Sequence, residues 1–129
     1  MGLVKNFEEI QAWQEARVLT RQIYKLSSTG GFAKDYGLRD QIRRAAVSGM
    51  TNIAEGFDCD SNKEFIRYLG IARRSVVEVQ SLLHVALDVT YINEDTFRTH
   101  YAQAAKTKAL IGGFKHALTK RSNPRPKNT

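Results

Sequence analysis

Cysteine and proline are scarce in this sequence of 129 residues, and acidic residues are missing from its last 34 positions. Cys59 is the only cysteine, so a disulfide within the chain is excluded. Pro124 and Pro126 are the only prolines, and everything before them is free to be helical. No apolar run approaches the roughly 18 residues that a membrane-spanning helix needs. These absences favour one helical domain without disulfide support.

The amino-terminal segment also lacks the features of a targeting signal. It contains no apolar stretch of the signal-peptide type, and Asn6 stands where a myristoylation motif requires serine or threonine. Because a single cysteine suits a reducing compartment, we expect a cytoplasmic protein with no membrane partner.

Positive charge is concentrated toward the carboxyl end. Residues 1–60 carry eight basic and eight acidic side chains, whereas residues 61–129 carry twelve and five, which accounts for the net charge of +7. The basic residues of the acid-free segment 96–129 are Arg98, Lys106, Lys108, Lys115, Lys120, Arg121, Arg125 and Lys127. Phosphate groups favour such a surface through counterion release, so these eight are our candidate nucleic-acid-binding residues. A basic surface without any partner is the alternative.

Apolar spacing predicts four long helices and no strand. The first begins near Asn6 and ends before the Ser- and Gly-rich segment 27–31, and the second covers about 38–57. The third follows a capping box at 61–64, and the fourth begins near Asn93. The third has the clearest buried face, which comprises Phe65, Leu69, Ala72, Val76, Val79, Leu83 and Ala86. Short connections make neighbours antiparallel, which predicts an all-α, up-down-up-down four-helix bundle over residues 1–119 and a basic disordered tail at 120–129.

The second predicted helix has two parallel stripes. One consists of Ile42, Ala46, Gly49, Ile53 and Gly56, a heptad pattern typical of a buried seam. The other, which we call the polar stripe, consists of Gln41, Ala45, Ser48, Asn52 and Glu55. Small residues let another helix approach closely, and uncharged polar residues suit partly buried hydrogen bonds. The polar stripe is therefore compatible with a contact inside the chain, a subunit interface or a ligand site.

Two adjacent arginines precede the polar stripe's small residues. Arg44 lies fifteen residues before Cys59 and Glu78 lies nineteen after it, so antiparallel helices place them at about the same level. We expect Arg43 or Arg44 to pair with Glu78 across the helix contact. The assembly or helix-packing candidates are Gln41, Arg43, Arg44, Ala45, Ser48, Gly49, Asn52, Glu55 and Glu78.

The residue types that catalysis and metal binding require are dispersed. His84, His100 and His116 form no local metal motif, and segment 58–69 matches a calcium-binding loop only at its start, since Lys63 and Leu69 replace the required Gly and Glu. Cys59 has no flanking nucleophile signature. The sequence therefore predicts no catalytic residue, no metal site and no cofactor.

Two segments of the sequence resemble a known family: LRDQIRRAAVSGMTNIAEGF at 38–57 and KEFIRYLGIARRSVVEVQSLLHVA at 63–86. With Phe7, Glu8 and Trp13, they resemble the four-helix-bundle proteins first noticed as reading frames in intervening sequences of bacterial large-subunit ribosomal RNA genes, many of them described as a small ribosomal protein. The chain departs from that family's pattern at Gly49-Met50, where an apolar residue and proline are usual, and at Arg74, where glycine is usual.

This resemblance implies a four-helix bundle that assembles into a ring-like homopentamer. It also implies kinship with the accessory proteins of diversity-generating retroelements, which are basic pentamers that engage a reverse transcriptase and nucleic acid. The resulting hypothesis is a non-catalytic, self-assembling accessory protein that binds RNA or DNA. The alternative is an oligomeric scaffold that binds a protein partner without nucleic acid; an enzyme has no support in the residues.

Overall fold

The computed structural model describes residues 4–122, and all the regular structure within that range is helical. A 3₁₀ turn at Phe7–Glu9 precedes five helices: α1 (Gln11–Leu26), the short α2 (Gly30–Lys34), α3 (Tyr36–Phe57), α4 (Asn62–Asp88) and α5 (Glu94–Ser122). The predicted all-α class is confirmed. None of the helices in this part of the chain combines the length and the apolar character needed to cross a membrane.

The four long helices pack in a closed cycle in which α1 contacts α3, α3 contacts α4, α4 contacts α5 and α5 contacts α1. Their directions follow from pairs of contacting residues. Where two neighbouring helices are antiparallel, residue numbers rise along one helix as they fall along the other. Between α3 and α4, Gln41 contacts Glu78 and Ser48 contacts Ser75. The arrangement is therefore antiparallel, with α1 and α4 on one diagonal of the bundle.

The core consists of the residues that the heptad spacing selects. All five members of the α3 seam are buried, and so are all seven predicted positions of α4. In α5 the steps from Ala104 to Ile111 and Leu118 are seven residues each, and these three side chains are buried. Each large apolar side chain that is buried in this way stabilises the fold by about 1.5–3 kcal/mol, and this packing is what keeps the long helices formed.

Side-chain caps fix three of the helix beginnings. Ser61 accepts a hydrogen bond from the Glu64 amide, as the capping box predicted, and Asn93 accepts one from the Thr96 amide. At α3 the Asp35 carboxylate accepts from the Leu38 amide through Oδ1. Its Oδ2 accepts from the Tyr91 hydroxyl at 3.0 Å, which joins the start of α3 to the α4–α5 connection. This hydrogen bond raises the pKa of Tyr91.

The structure differs from the predicted boundaries at both ends of the first helix. Asn6 does not cap α1, since the chain turns through the 3₁₀ segment and becomes extended at Ile10, which lets Ile10 enter the core. The expected loop after α1 contains the short helix α2, which buries Phe32 against the Tyr91 ring.

The predicted limit of the bundle at residue 119 is also too early. Helix α5 continues through Ser122, so Lys120 and Arg121 belong to the helix and not to a tail. The rest of the predicted tail, 123–129, lies outside the described residues.

Candidate nucleic-acid interface and helix-packing surface

The polar stripe of α3 lies mainly along the contact with α4. Gln41 Nε2 donates to Glu78 Oε2 at 3.1 Å, and the Ser48 and Ser75 hydroxyls are 2.8 Å apart. Asn52 Nδ2 donates to the Ser48 carbonyl and hydroxyl, both at 2.9 Å. Hydrogen bonds inside the chain therefore account for the central members of the stripe.

The two ends of the polar stripe differ from its centre in exposure. Ala45 is buried, whereas Gln41 and Glu55 are exposed. A groove of about 410 Å³ follows the stripe on its outer side and is lined by Gln41, Arg44, Ala45, Ser48, Ser75 and Glu78.

The prediction that an arginine pairs with Glu78 is wrong. The level was correct, but Gln41 occupies the position beside Glu78. Arg43 points to α1, where its Nε donates to the buried Ser27 hydroxyl at 2.8 Å and its guanidinium stacks on Tyr24 at 4.6 Å. Consecutive residues of a helix are about 100° apart around its axis, so Gln41 and Arg43 point in different directions. Gln41 faces Glu78 of α4, and Arg43 faces α1.

Gly49 lies at a close approach between α3 and α4. A Cβ atom at this position would be 3.0 Å from Val76 Cγ2 and 3.8 Å from the Ala72 carbonyl oxygen. Carbon atoms in ordinary contact are about 3.5–4.0 Å apart. The absence of a side chain at Gly49 therefore permits the present spacing of the two helices.

The first part of the α5 basic segment is neutralised by neighbouring acids. Arg98 forms ion pairs with Glu94 at 2.9 Å and Asp95 at 2.8 Å, and Lys106 lies 3.5 Å from Glu15. Glu15 also accepts a hydrogen bond from Gln103, which is the main reason that its pKa is lowered, with Lys106 adding to the effect. These two basic residues have local structural uses.

The second part of the segment is different. Within residues 4–121, the side chains of Lys108, Lys115, Lys120 and Arg121 form no hydrogen bond or ion pair with another residue. Lys120 and Arg121 are exposed, and Lys108 and Lys115 are half-buried. The remaining two candidates, Arg125 and Lys127, lie outside the described residues.

Sequence reasoning did not include two arginines of α4 among the candidates. Arg73 packs beside Gly112 of α5, and Arg74 lies beside Lys115 at Gly70. The antiparallel register could have revealed them, since residues near 70 on α4 must lie level with residues near 115 on α5. Their inclusion extends the unpaired positive surface from α5 onto α4.

The histidines and the cysteine do not gather into a metal site in the described part of the chain. Across residues 4–122, no three histidine, cysteine or acidic side chains come together as a metal site. His84 packs against the rings of Phe97 and Tyr101. The Cys59 thiol donates to the Glu55 carbonyl at 3.4 Å. Packing and hydrogen bonding account for these side chains.

A solved structure of another protein has a similar fold. A protein of unknown function from the S23 ribosomal protein family of Bacteroides thetaiotaomicron has a similar structure, with a TM-score of 0.74 and 20% sequence identity. The likeness covers 81% of this chain and 97% of that chain, and at this identity it shows the fold alone. A search of curated proteins found no match.

The family comparison covers most of the bundle. A model of the 23S rRNA-intervening sequence protein matches residues 8–113, which extend from the 3₁₀ turn into the second half of α5. The resemblance drawn from the two sequence blocks is thereby confirmed. The chain belongs to the 23S rRNA-intervening sequence protein family.

Proposed function

We propose that this protein is a non-catalytic accessory protein that binds nucleic acid, RNA in particular, through its phosphate backbone. The observation that carries the proposal is the second half of α5, where Lys108, Lys115, Lys120 and Arg121 have no acidic partner among the described residues. A cation that is already paired with an acidic side chain gains little binding free energy from a phosphate. An unpaired cation displaces the counterions around the phosphate, and their release favours binding. The charge pattern therefore favours phosphate contacts over the alternative of a basic surface without a partner.

The expected recognition has little sequence preference. The described aromatic side chains pack mainly among themselves or beneath arginines of α1, α3 and α4. Phe114, which lies near the basic end of α5, packs edge-on against Phe65. Base stacking on aromatic rings is the usual means of holding single strands, so we expect its contribution to be small. Phosphate contacts position a protein on nucleic acid without reading its sequence.

Self-assembly is the second element of the proposal. We expect a closed homo-oligomer, the homopentamer that the family resemblance implies, with the outer face of α3 at the subunit contact. Two grooves flank Arg44 on this face: the 410 Å³ groove beside α4 and another of about 620 Å³ beside Tyr24 of α1. In a ring, the basic ends of the α5 helices repeat, so weak phosphate contacts are strengthened by multivalency.

The test of nucleic-acid binding compares two lengths of the chain. Fluorescence anisotropy with a labelled RNA hairpin should show micromolar or tighter binding at low salt, with affinity falling steeply as salt rises. Removal of residues 120–129 deletes Lys120, Arg121, Arg125 and Lys127 but keeps the buried Leu118. The shorter chain should bind more weakly and with a smaller salt slope. Failure of the full chain to bind at low salt would overturn the proposal.

The test of assembly is the molar mass in solution. Light scattering of the full chain at micromolar concentration should give a multiple of the 14.6 kDa monomer, five for a pentamer. Arg44→Glu places a negative charge at the centre of the expected contact and should lower the mass. A monomer mass for the unaltered chain would contradict assembly. The scaffold alternative gains support if the ring forms, RNA does not bind, and a protein partner is retained after nuclease treatment.

A further inference from the structure

Helices α4 and α5 each have a glycine where a basic side chain of the other helix crosses. Lys115 of α5 crosses Gly70 of α4, with Nζ 3.5 Å and Cε 4.0 Å from the position that a Cβ on this glycine would take. In the reverse direction, Arg73 of α4 crosses Gly112 of α5, with Nε at 3.5 Å and Cδ at 3.9 Å from the corresponding point. The two long side chains are thus held against backbone at the helix contact.

A third basic side chain joins this group. Arg74 Nη1 lies 3.7 Å from the same point on Gly70, so it is separated from Lys115 Nζ by no more than about 7 Å. Within residues 4–121 neither cation forms an ion pair, and Arg73 forms none either. Two of the three acids on α4 have other partners, since Glu64 binds Arg67 and Glu78 accepts from Gln41. The third, Asp88, lies fourteen residues beyond Arg74 at the end of the helix.

This arrangement lacks the counter-charge that a structural ion cluster would have. Positive charges close together repel each other, and the repulsion is relieved when an anion binds between them. An arginine fork matches two oxygens of a phosphate group, and a lysine supplies a single charge beside it. The chemistry of the cluster therefore suits a phosphate group.

We propose that Arg74 and Lys115, with Arg73 beside them, form a binding site for a phosphodiester of a nucleic-acid backbone. The site rests on the nucleic-acid binding proposed above and gives it a location, on the α4–α5 face. Lys108 precedes Lys115 by seven residues, about 10 Å along α5. Cations repeated along the helix favour a strand with regularly spaced phosphates over a single phosphate ion.

The experiment compares two variants that each remove two positive charges. Arg74→Gln/Lys115→Gln removes the proposed site, and Arg21→Gln/Lys25→Gln removes two exposed cations from α1, which lies diagonally across the bundle from α4. Labelled double-stranded RNA is titrated with each variant at roughly 50 and 200 mM salt. Circular dichroism and molar mass establish that both variants keep the fold and assembly of the unaltered chain.

The site variant should lose about tenfold or more in affinity at low salt, and its salt slope should fall by about two phosphate contacts. The α1 variant should lose no more than a few-fold. Equal losses in the two variants would overturn the site while leaving nucleic-acid binding intact. Failure of the unaltered chain to bind RNA would overturn the proposed function, and the site with it.

A charge-conserving variant provides a second measurement. Arg74→Lys retains the positive charge but loses the planar fork, so it should weaken binding at the same salt slope. Unchanged affinity in Arg74→Lys, together with a loss in the double variant, supports a purely electrostatic phosphate contact. Binding of anionic lipid vesicles without binding of RNA would contradict the proposal.

Discussion

Replacement of Gly49 by leucine tests whether its lack of a side chain sets the spacing of α3 and α4. The first added atom, Cβ, would already lie 3.0 Å from Val76 Cγ2, and three further carbons would follow it. Val76 is fully buried, and a β-branched side chain in a helix has one strongly preferred rotamer, so it cannot turn away. The helices must separate, which also strains the hydrogen bond between Ser48 and Ser75 one position away.

The magnitude follows from two opposing effects. Leucine gains about 0.5–1 kcal/mol over glycine in helix propensity, whereas overpacking of a filled core typically costs about 1–3 kcal/mol. Loss of the serine hydrogen bond would add about 1 kcal/mol. We therefore expect Gly49→Leu to lower the free energy of unfolding by about 1–3 kcal/mol.

Gly113→Leu is the matched control. It is also a helical glycine, but it is exposed, and no atom lies within 4 Å of the position that its Cβ would take. It should raise the free energy of unfolding by about 0.5–1 kcal/mol through propensity alone. Urea unfolding, followed by circular dichroism at one protein concentration, measures both variants. A Gly49→Leu protein as stable as Gly113→Leu, with an unchanged m-value, would refute the close contact.

Two further substitutions test the polar contacts that join distant parts of the chain. Tyr91→Phe removes the hydrogen bond to Asp35 and should cost about 1 kcal/mol, but it should cost almost nothing in an Asp35→Ala background; additive losses in a double-mutant cycle would contradict the pairing. The pKa of Glu15 is lowered in the folded state, so the stability it contributes is present above its ordinary value of 4.5 and is lost as the pH falls through the folded value. Glu15→Gln should therefore lower the melting temperature at pH 7, and this difference should shrink as the pH is lowered below 4.5; a constant difference would exclude the carboxylate as its cause.

Part of the candidate interface could be read from the sequence. The eight basic residues after Asp95 identify α5 as the positive helix, since charge is a property of composition. The pairing of Lys106 was hidden, because its partner Glu15 belongs to α1, whereas the acids that pair with Arg98 are only three and four residues away. Arg73 and Arg74 join Lys115 only through the packing of two helices, so their importance depends on tertiary structure.

The helices and the core were determined by the sequence itself. Burial on one side of a helix imposes a repeat of three and four residues, and the steps from Phe65 to Ala86 and from Ile42 to Gly56 show that repeat directly. The caps at Ser61 and Asn93 are also local, because each requires only a side chain and an amide three residues away. Such features are decided by neighbours along the chain.

Tertiary structure alone decided which side chains meet. Counting residues gave the correct level for Glu78, since each helical residue advances about 1.5 Å. It did not give the rotation of α3 about its axis, which directs Gln41 to Glu78 and Arg43 to Ser27. The short helix around Phe32 likewise depends on a pocket completed by Tyr91, almost sixty residues later. Rotation and distant packing result from simultaneous contacts of all four long helices, and no single segment of sequence contains them.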